Sequence, residues 1–167
     1  MANITLKGNP IKTNGQLPLK GSEAPDFLLV DQELGEHSLK DYQGKRKLLS
    51  IVPSLDTSVC STMAKKFNDA MKEHPEVVAL VISADLPFAQ KRFCNQENVE
   101  NVITLSMMRN KDFAKDYGVL IEDGPLAGIC ARAVVVLDEN DQVIYTQLVP
   151  EITEEPDYES ALAHLLR

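Results

Sequence analysis

The sequence predicts an α/β fold in which a mixed central sheet is flanked by helices on both faces. Two apolar runs, at residues 48–52 and 77–82, have the length and β-branched content of buried parallel strands. Between them, apolar side chains recur at spacings of three and four over residues 59–71, which indicates one buried face of a helix. Two last strands, residues 132–137 and 143–149, are joined by a turn sequence typical of a hairpin. Alternating strands and helices that close in this way predict a mixed sheet.

The remaining segments extend this pattern. Residues 4–13 alternate around Gly8-Asn9-Pro10 and predict an N-terminal β-hairpin, within an extension of residues 1–15. Further strands are predicted at residues 27–30 and 102–105, further helices at 87–96, 111–117 and 158–166, and a helical turn at 39–42. No linker, repeat or low-complexity segment is found. We therefore expect a single domain over residues 1–167.

Composition is that of an ordinary soluble globular protein, with 44% hydrophobic and 25% charged residues. The net charge of −8 argues against nucleic acid and anionic membranes as partners. No N-terminal segment resembles a signal peptide, and no apolar run approaches the roughly 18 residues of a membrane span, so we expect a cytoplasmic protein. Three cysteines, an odd number, indicate reactive or buried thiols in a reducing compartment rather than a disulfide framework.

Cys60 falls where the strand at residues 48–52 passes into the next helix. Pro53 ends the strand, Thr57 and its polar neighbours favour a turn or a helix cap, and Cys60 follows in the first helical turn. In open α/β sheets, ligands bind at this edge. Unpaired N–H groups and the helix dipole favour a thiolate there, and the thiolate is the nucleophilic form of cysteine. Position alone leaves two interpretations open, a reactive thiol and a cysteine that fills a small buried gap.

Several motifs resemble those of the peroxiredoxin family. Residues 53–60 (PSLDTSVC) fit its Pro-x-x-x-Thr-x-x-Cys pattern. The segments 83–90 (SADLPFAQ) and 92–94 (RFC) resemble the atypical two-cysteine branch of that family, the thiol peroxidases. Residues 131–140 (ARAVVVLDEN) and 154–158 (EEPDY) continue the similarity, which runs through nearly the whole chain. The resemblance implies a thioredoxin-like fold and a thiol-dependent peroxidase that reduces hydrogen peroxide and alkyl hydroperoxides.

The resemblance also implies roles for four residues. Cys60 matches the family's peroxidatic nucleophile, and Pro53 matches the proline that shields this sulfur from water. Thr57 matches the threonine that holds both the thiolate and the incoming peroxide, although by itself it is equally a helix cap. Arg132 opens an apolar strand, and taken alone it would be interpreted as a strand-end surface residue. The family pattern makes it the active-site arginine, which would stabilise the thiolate and the charge on the leaving oxygen.

Two further cysteines follow Cys60. Taken alone, Cys94 is a half-buried cysteine inside a predicted helix; by resemblance it is the resolving thiol that attacks the Cys60 sulfenic acid and closes an intrachain Cys60–Cys94 disulfide. Cys130 lies two residues before Arg132, and we expect it to be structural. Cys94 lies about two turns inside its helix, so the two sulfurs are expected to start too far apart for a disulfide. Both segments would then unwind locally before it closes.

No cofactor is expected. His37, His74 and His164 lie far apart and form no metal-binding spacing, and the family mechanism needs no metal, haem or flavin. Met63 stands where a Cys-x-x-Cys motif would have its second cysteine, which disfavours a thiol–disulfide oxidoreductase. Thioredoxin is the expected reductant, and the resemblance implies a homodimer. The alternative function is a redox-sensing binding protein that uses the same disulfide as a switch.

Overall fold

The computed structural model describes the whole chain, Met1–Arg167. The strands are β1 (Asn3–Leu6), β2 (Asn9–Lys12), β3 (Leu29–Val30), β4 (Glu36–His37), β5 (Arg46–Ile51), β6 (Val77–Ser83), β7 (Ile103–Ser106), β8 (Ala133–Leu137) and β9 (Val143–Leu148). The helices are α1 (Ser58–Met71), α2 (Pro87–Glu97), α3 (Asp112–Asp116) and α4 (Tyr158–Leu165), with a short 3₁₀ helix at Leu39–Tyr42. None of the helices has the length and apolar character that crossing a membrane requires.

Seven strands form one mixed sheet in the order β4-β3-β7-β6-β5-β8-β9. Strands β5, β6 and β7 are parallel, whereas β8 pairs antiparallel with β5, and β9 antiparallel with β8. The predicted mixed sheet and its closing hairpin are therefore confirmed. The connections through α1 and α2 step in the same direction along the sheet, and right-handed crossovers then place both helices on one face.

The sheet separates two hydrophobic clusters, and side chains on the central strands alternate between them. Leu49 faces the cluster that contains residues of α3 and of the N-terminal hairpin, whereas Leu48 faces the cluster beneath α1 and α4. Cys60 and Cys94 belong to the α1 cluster, and Cys130 belongs to the α3 cluster. The sheet therefore lies between Cys130 and the other two thiols.

The N-terminal hairpin is present, but its turn differs from the prediction. Strands β1 and β2 pair with Leu6 opposite Asn9, so the turn consists of Lys7 and Gly8 instead of Gly8-Asn9-Pro10. Both turn residues have positive φ, 50° and 82°, which matches the twist of a two-residue hairpin. Pro10 enters β2, where a two-stranded sheet tolerates the missing N–H group.

Two strands of the sheet are too short to be predicted from the alternation of polar and apolar residues. The strand predicted at residues 27–30 is confined to Leu29–Val30, and its antiparallel partner Glu36–His37 has no counterpart in the sequence prediction. Two residues are too few to show an alternation of polar and apolar side chains. These strands form one edge of the sheet, away from α1.

The N-terminal hairpin holds the segment that follows β9. The Thr5 N–H donates to the Pro150 carbonyl at 2.8 Å, and the Ile152 N–H donates to the Thr5 carbonyl at 2.9 Å. The Glu151 carboxylate accepts from the Thr5 hydroxyl and from the Gly8 N–H, each at 2.9 Å. Donors from Thr153 and Gly8 lower the pKa of Glu151 to about 2. This pairing fixes the backbone at Ile152, which borders the candidate active site.

Candidate active site

The loop between β5 and α1 places Cys60 in the first turn of α1. Pro53 is buried after the end of β5, Thr57 occupies the N-cap position, and Cys60 is the third residue of the helix. The Thr57 hydroxyl does not cap α1 and makes no hydrogen bond with the Cys60 sulfur. It donates instead to the Ser54 carbonyl at 2.9 Å. Its two lone pairs remain available as acceptors, while its single donor is occupied.

Arg132 and Cys60 meet beneath α1. The Arg132 Nη1 atom lies 2.8 Å from the Cys60 Sγ atom, Cys60 is fully buried, and Arg132 is 2% exposed. Arg132 immediately precedes β8, two residues before Val134, which faces the α1 cluster. Strand alternation therefore directs the guanidinium towards Cys60 and away from solvent. The surface position considered for Arg132 from the residues alone is wrong for this reason.

Two further contacts hold the Arg132 guanidinium. Its Nε atom donates to the Ile152 carbonyl at 2.9 Å, and Nη1 lies 3.1 Å from the Met63 Sδ atom. Arg132 forms no ion pair with any carboxylate. The guanidinium is therefore fixed beside the Cys60 sulfur by a backbone carbonyl and a thioether, neither of which carries a formal charge.

Cys94 is a buried thiol in α2, on the same face of the sheet as Cys60. The Gln32 Nε2 atom donates to the Cys94 Sγ atom at 3.5 Å and to the Thr104 hydroxyl at 2.7 Å. Burial raises the pKa of the Cys94 thiol, against the opposing effect of the Gln32 and Thr104 hydrogen bonds. In this conformation Cys94 is therefore a protonated, weakly nucleophilic thiol at neutral pH. All three cysteines are free.

Cys130 has an environment of a different kind. It is fully buried, its Sγ atom lies 3.7 Å from the Met107 Sδ atom, and burial raises its pKa to about 12. The structure brings Arg132 and Cys60 together and keeps Cys130 on the far side of the sheet.

Three residues at the site had no role in the sequence analysis. They are Gln32, which contacts Cys94, Ile152, whose carbonyl holds Arg132, and Asp85, whose carboxylate binds the loop before α1. Asp85 lies within the motif at residues 83–90, which was the only sequence signal for it. The other two act through contacts between segments far apart in the chain, and no local pattern indicates them.

Comparisons with known proteins identify the family to which this chain belongs. The family model described as Redoxin matches residues 19–162. Thiol peroxidases from two strains of Leptospira interrogans, serovars copenhageni and Lai, are 52% identical over 165 residues, which cover 98% of this chain and 96% of each relative. The chain belongs to the redoxin family. The sequence resemblance to the thiol peroxidase branch of the peroxiredoxins is thereby confirmed.

Two solved structures extend the comparison to the redoxin fold. A peroxiredoxin-like protein from Aquifex aeolicus superposes with a TM-score of 0.94 at 43% identity, covering 99% of this chain and 96% of that one. A thiol peroxidase from Chromobacterium violaceum gives a TM-score of 0.89 at 25% identity, with coverage of 98% and 94%. The predicted thioredoxin-like fold is confirmed.

Proposed function

We propose that this redoxin is a thiol-dependent peroxidase that reduces hydrogen peroxide and alkyl hydroperoxides at Cys60. The contact between Cys60 and a buried arginine without a carboxylate partner carries the proposal. Such a cation stabilises both the attacking thiolate and the negative charge that develops on the leaving oxygen. The position of Cys60 in the first turn of α1 adds the positive end of the helix dipole.

In the first step, the Cys60 thiolate attacks one oxygen of the hydroperoxide and the O–O bond breaks. Cys60 becomes a sulfenic acid, and the second oxygen leaves as water or an alcohol after taking a proton. Thr57 accepts a hydrogen bond from the peroxide O–H group, because its own proton is engaged with Ser54. The buried Pro53 keeps water from the sulfur.

In the second step, Cys94 attacks the sulfenic sulfur, an S–S bond forms and water leaves. Cys94 must lose its proton first, and burial opposes this in the folded form. Local unwinding of the segments around Cys60 and Cys94 both exposes the thiol and brings the sulfurs together. The position of both residues on one face of the sheet supports this pairing, whereas Cys130 lies on the other.

In the third step, a dithiol protein reduces the Cys60–Cys94 disulfide with two electrons through a mixed disulfide, and thioredoxin is the proposed donor. The cycle uses only protein thiols, so it needs no metal, haem or flavin. The single domain, the homodimer and the cytoplasmic location stay predictions.

A coupled assay tests this function. Purified protein is mixed with thioredoxin, thioredoxin reductase and NADPH, and peroxide-dependent NADPH oxidation is followed. Sustained turnover is expected from the parent and no turnover from Cys60→Ser, because a hydroxyl is a far poorer nucleophile than a thiolate. A single stoichiometric oxidation without turnover would instead select the redox-sensing binding protein. Substantial activity in Cys60→Ser would remove Cys60 from the role of nucleophile.

A further inference from the structure

The Asp85 carboxylate joins the loop before α1 to the loop that follows the carboxyl end of β6. Its Oδ1 atom accepts from the Ser54 hydroxyl at 2.7 Å, and its Oδ2 atom accepts from the Leu55 N–H at 2.8 Å. Ser54 lies 31 residues before Asp85 in the chain, and Leu55 lies 30 residues before it. The contact is possible because β5 and β6 are parallel, so the loops after their carboxyl ends leave the same edge of the sheet.

Asp85 is itself fixed to the sheet by separate contacts. The Ser83 hydroxyl, at the end of β6, donates to Asp85 Oδ2 at 2.7 Å, and the Ser106 hydroxyl, at the end of β7, donates to the Asp85 carbonyl at 2.5 Å. The Gln90 amide donates in turn to the Ser83 hydroxyl at 3.2 Å. Asp85 is therefore the fixed point, and the loop before α1 is the element that it holds.

The effect of Asp85 passes through Ser54 to the first turn of α1. The Ser54 carbonyl accepts from both the N–H group of Thr57, at 3.2 Å, and its hydroxyl, at 2.9 Å. The Thr57 carbonyl accepts from the Ser61 N–H at 3.0 Å. A shift of Ser54 thus moves Thr57 and the helix start that carries Cys60.

We infer that Asp85 is a positioning residue, which holds the loop before α1 in the peroxide-reactive arrangement and has to release it for the disulfide to form. The inference rests on the proposed two-step reaction of Cys60 and Cys94. Asp85 touches neither the peroxide nor a sulfur. Its carboxylate stabilises the conformation in which Cys60 reacts with peroxide, and it opposes the unwinding that lets Cys94 reach Cys60.

Replacing Asp85 should therefore change the two steps in opposite directions. In Asp85→Asn, the amide keeps the shape of the carboxylate but loses one acceptor oxygen, so it cannot accept from all of Ser54, Leu55 and Ser83. Loss of a hydrogen bond to a charged group predicts a reaction of Cys60 with hydrogen peroxide that is about tenfold slower. The conversion of sulfenic acid to disulfide should become severalfold faster. A merely structural role would slow both steps or neither.

The two rates are measured separately on the reduced full-length protein. Samples are mixed with hydrogen peroxide, quenched with acid at set times, and analysed by mass spectrometry, since the chain has no tryptophan to report on the site. The matched control is Asp56→Asn, which removes a carboxylate charge from the loop that Asp85 holds. The exposed Asp56 side chain forms no ion pair or hydrogen bond, so both rates should stay close to the parent's. Ser54→Ala, which removes one donor, should shift both rates as Asp85→Asn does, but less.

The outcomes separate the inference from the proposed function. Rates that change in the same direction, or that match those of Asp56→Asn, would overturn the role of Asp85 and leave the peroxidase intact. If Asp85→Asn does not fold, the two rates of Ser54→Ala test the inference in the same way: they should change in opposite directions. A parent that reacts with peroxide but forms no Cys60–Cys94 disulfide would remove the second step of the proposed reaction. Hydrogen exchange then tests whether Asp85 holds the loop before α1. Backbone amides of residues 54–61 should exchange faster in Asp85→Asn than in Asp56→Asn. Equal exchange in the two variants would contradict the inference.

Discussion

The Arg132 Nη1 atom lies 2.8 Å from the Cys60 Sγ atom, and both side chains are buried. The guanidinium is oriented by the Ile152 carbonyl, and that segment is held in turn by Thr5 of the N-terminal hairpin. In a site of low dielectric, such a charge interacts far more strongly than it would in water. The position of Arg132 thus depends on segments near both ends of the chain.

Removing the Arg132 charge should slow the reaction of Cys60 with hydrogen peroxide by about 10²–10³-fold, the range seen when a preorganised electrostatic donor is removed. Arg132→Met keeps similar bulk, and Arg132→Lys should give an intermediate rate because an ammonium cannot reach both Ile152 and Cys60. The control is Arg109→Met, which removes an exposed charge. Parent-like rates in Arg132→Met would exclude it from the site.

Thr57 should matter through its hydroxyl rather than its shape. Thr57→Val has nearly the same volume but cannot bond the Ser54 carbonyl or accept from a peroxide, so its reaction with hydrogen peroxide should be about tenfold slower. Thr57→Ser retains the hydroxyl and should stay within a few-fold of the parent. Acid-quenched time courses on reduced protein, analysed by mass spectrometry, give both rates. Equal rates for the two variants would show that the hydroxyl has no part in the reaction.

The order of strands and helices could be predicted from the sequence because apolar periodicity is a local property of the chain. The start of α1, with Thr57 before it and Cys60 in its first turn, follows from the same local signals. The predicted hairpin turn is wrong because Pro10 favours a turn in the sequence, whereas Lys7 and Gly8 adopt the positive φ values. Proline favours turns, but it also fits an edge strand.

The environment of each site residue could not be predicted in the same way. The residues alone predict a surface position for Arg132, whereas strand pairing directs its side chain towards Cys60 of α1. Asp85 and Gln32 contact segments that are 30 or more residues away, and these contacts exist only once strand pairing brings the segments together, parallel for β5 and β6 and antiparallel for β3 and β7. The family resemblance implies roles for some residues within its motifs, but none for Asp85, which lies within one, or for Gln32, which lies outside them.

Cys130 should be dispensable for turnover but not for stability at high pH. Burial raises its pKa from 9.0 to about 12, so the unfolded chain loses this proton first and stability falls as pH rises from about 9 towards 12. Cys130→Ala should keep parent-like peroxidase activity, lose about 1 kcal/mol at neutral pH through the cavity, and show a shallower loss above pH 9. Denaturant unfolding at several pH values measures this. Lost turnover in a folded Cys130→Ala variant would contradict the assignment.

The pH dependence of disulfide formation should reveal the conformation from which Cys94 attacks. The pKa of Cys94 is raised in the folded form, and unwinding of α2 removes the burial that raises it. If attack follows unwinding, the rate should increase with pH through the ordinary cysteine range, near 8.5. Quenched time courses between pH 6 and 10 follow sulfenic acid turning into disulfide. A midpoint well above this range would indicate attack from the intact helix instead.

The pairing of Cys60 with Cys94 is the central claim, and a mass-mapped disulfide tests it most directly. Fully reduced protein is treated with one equivalent of hydrogen peroxide, the remaining thiols are blocked with an alkylating agent, and the peptides are analysed. We predict one intrachain bond between Cys60 and Cys94, with Cys130 alkylated only after denaturation because it is fully buried. In Cys94→Ser, oxidation should stop at a Cys60 sulfenic acid. A bond between Cys60 and Cys130, or no intrachain bond at all, would contradict the account.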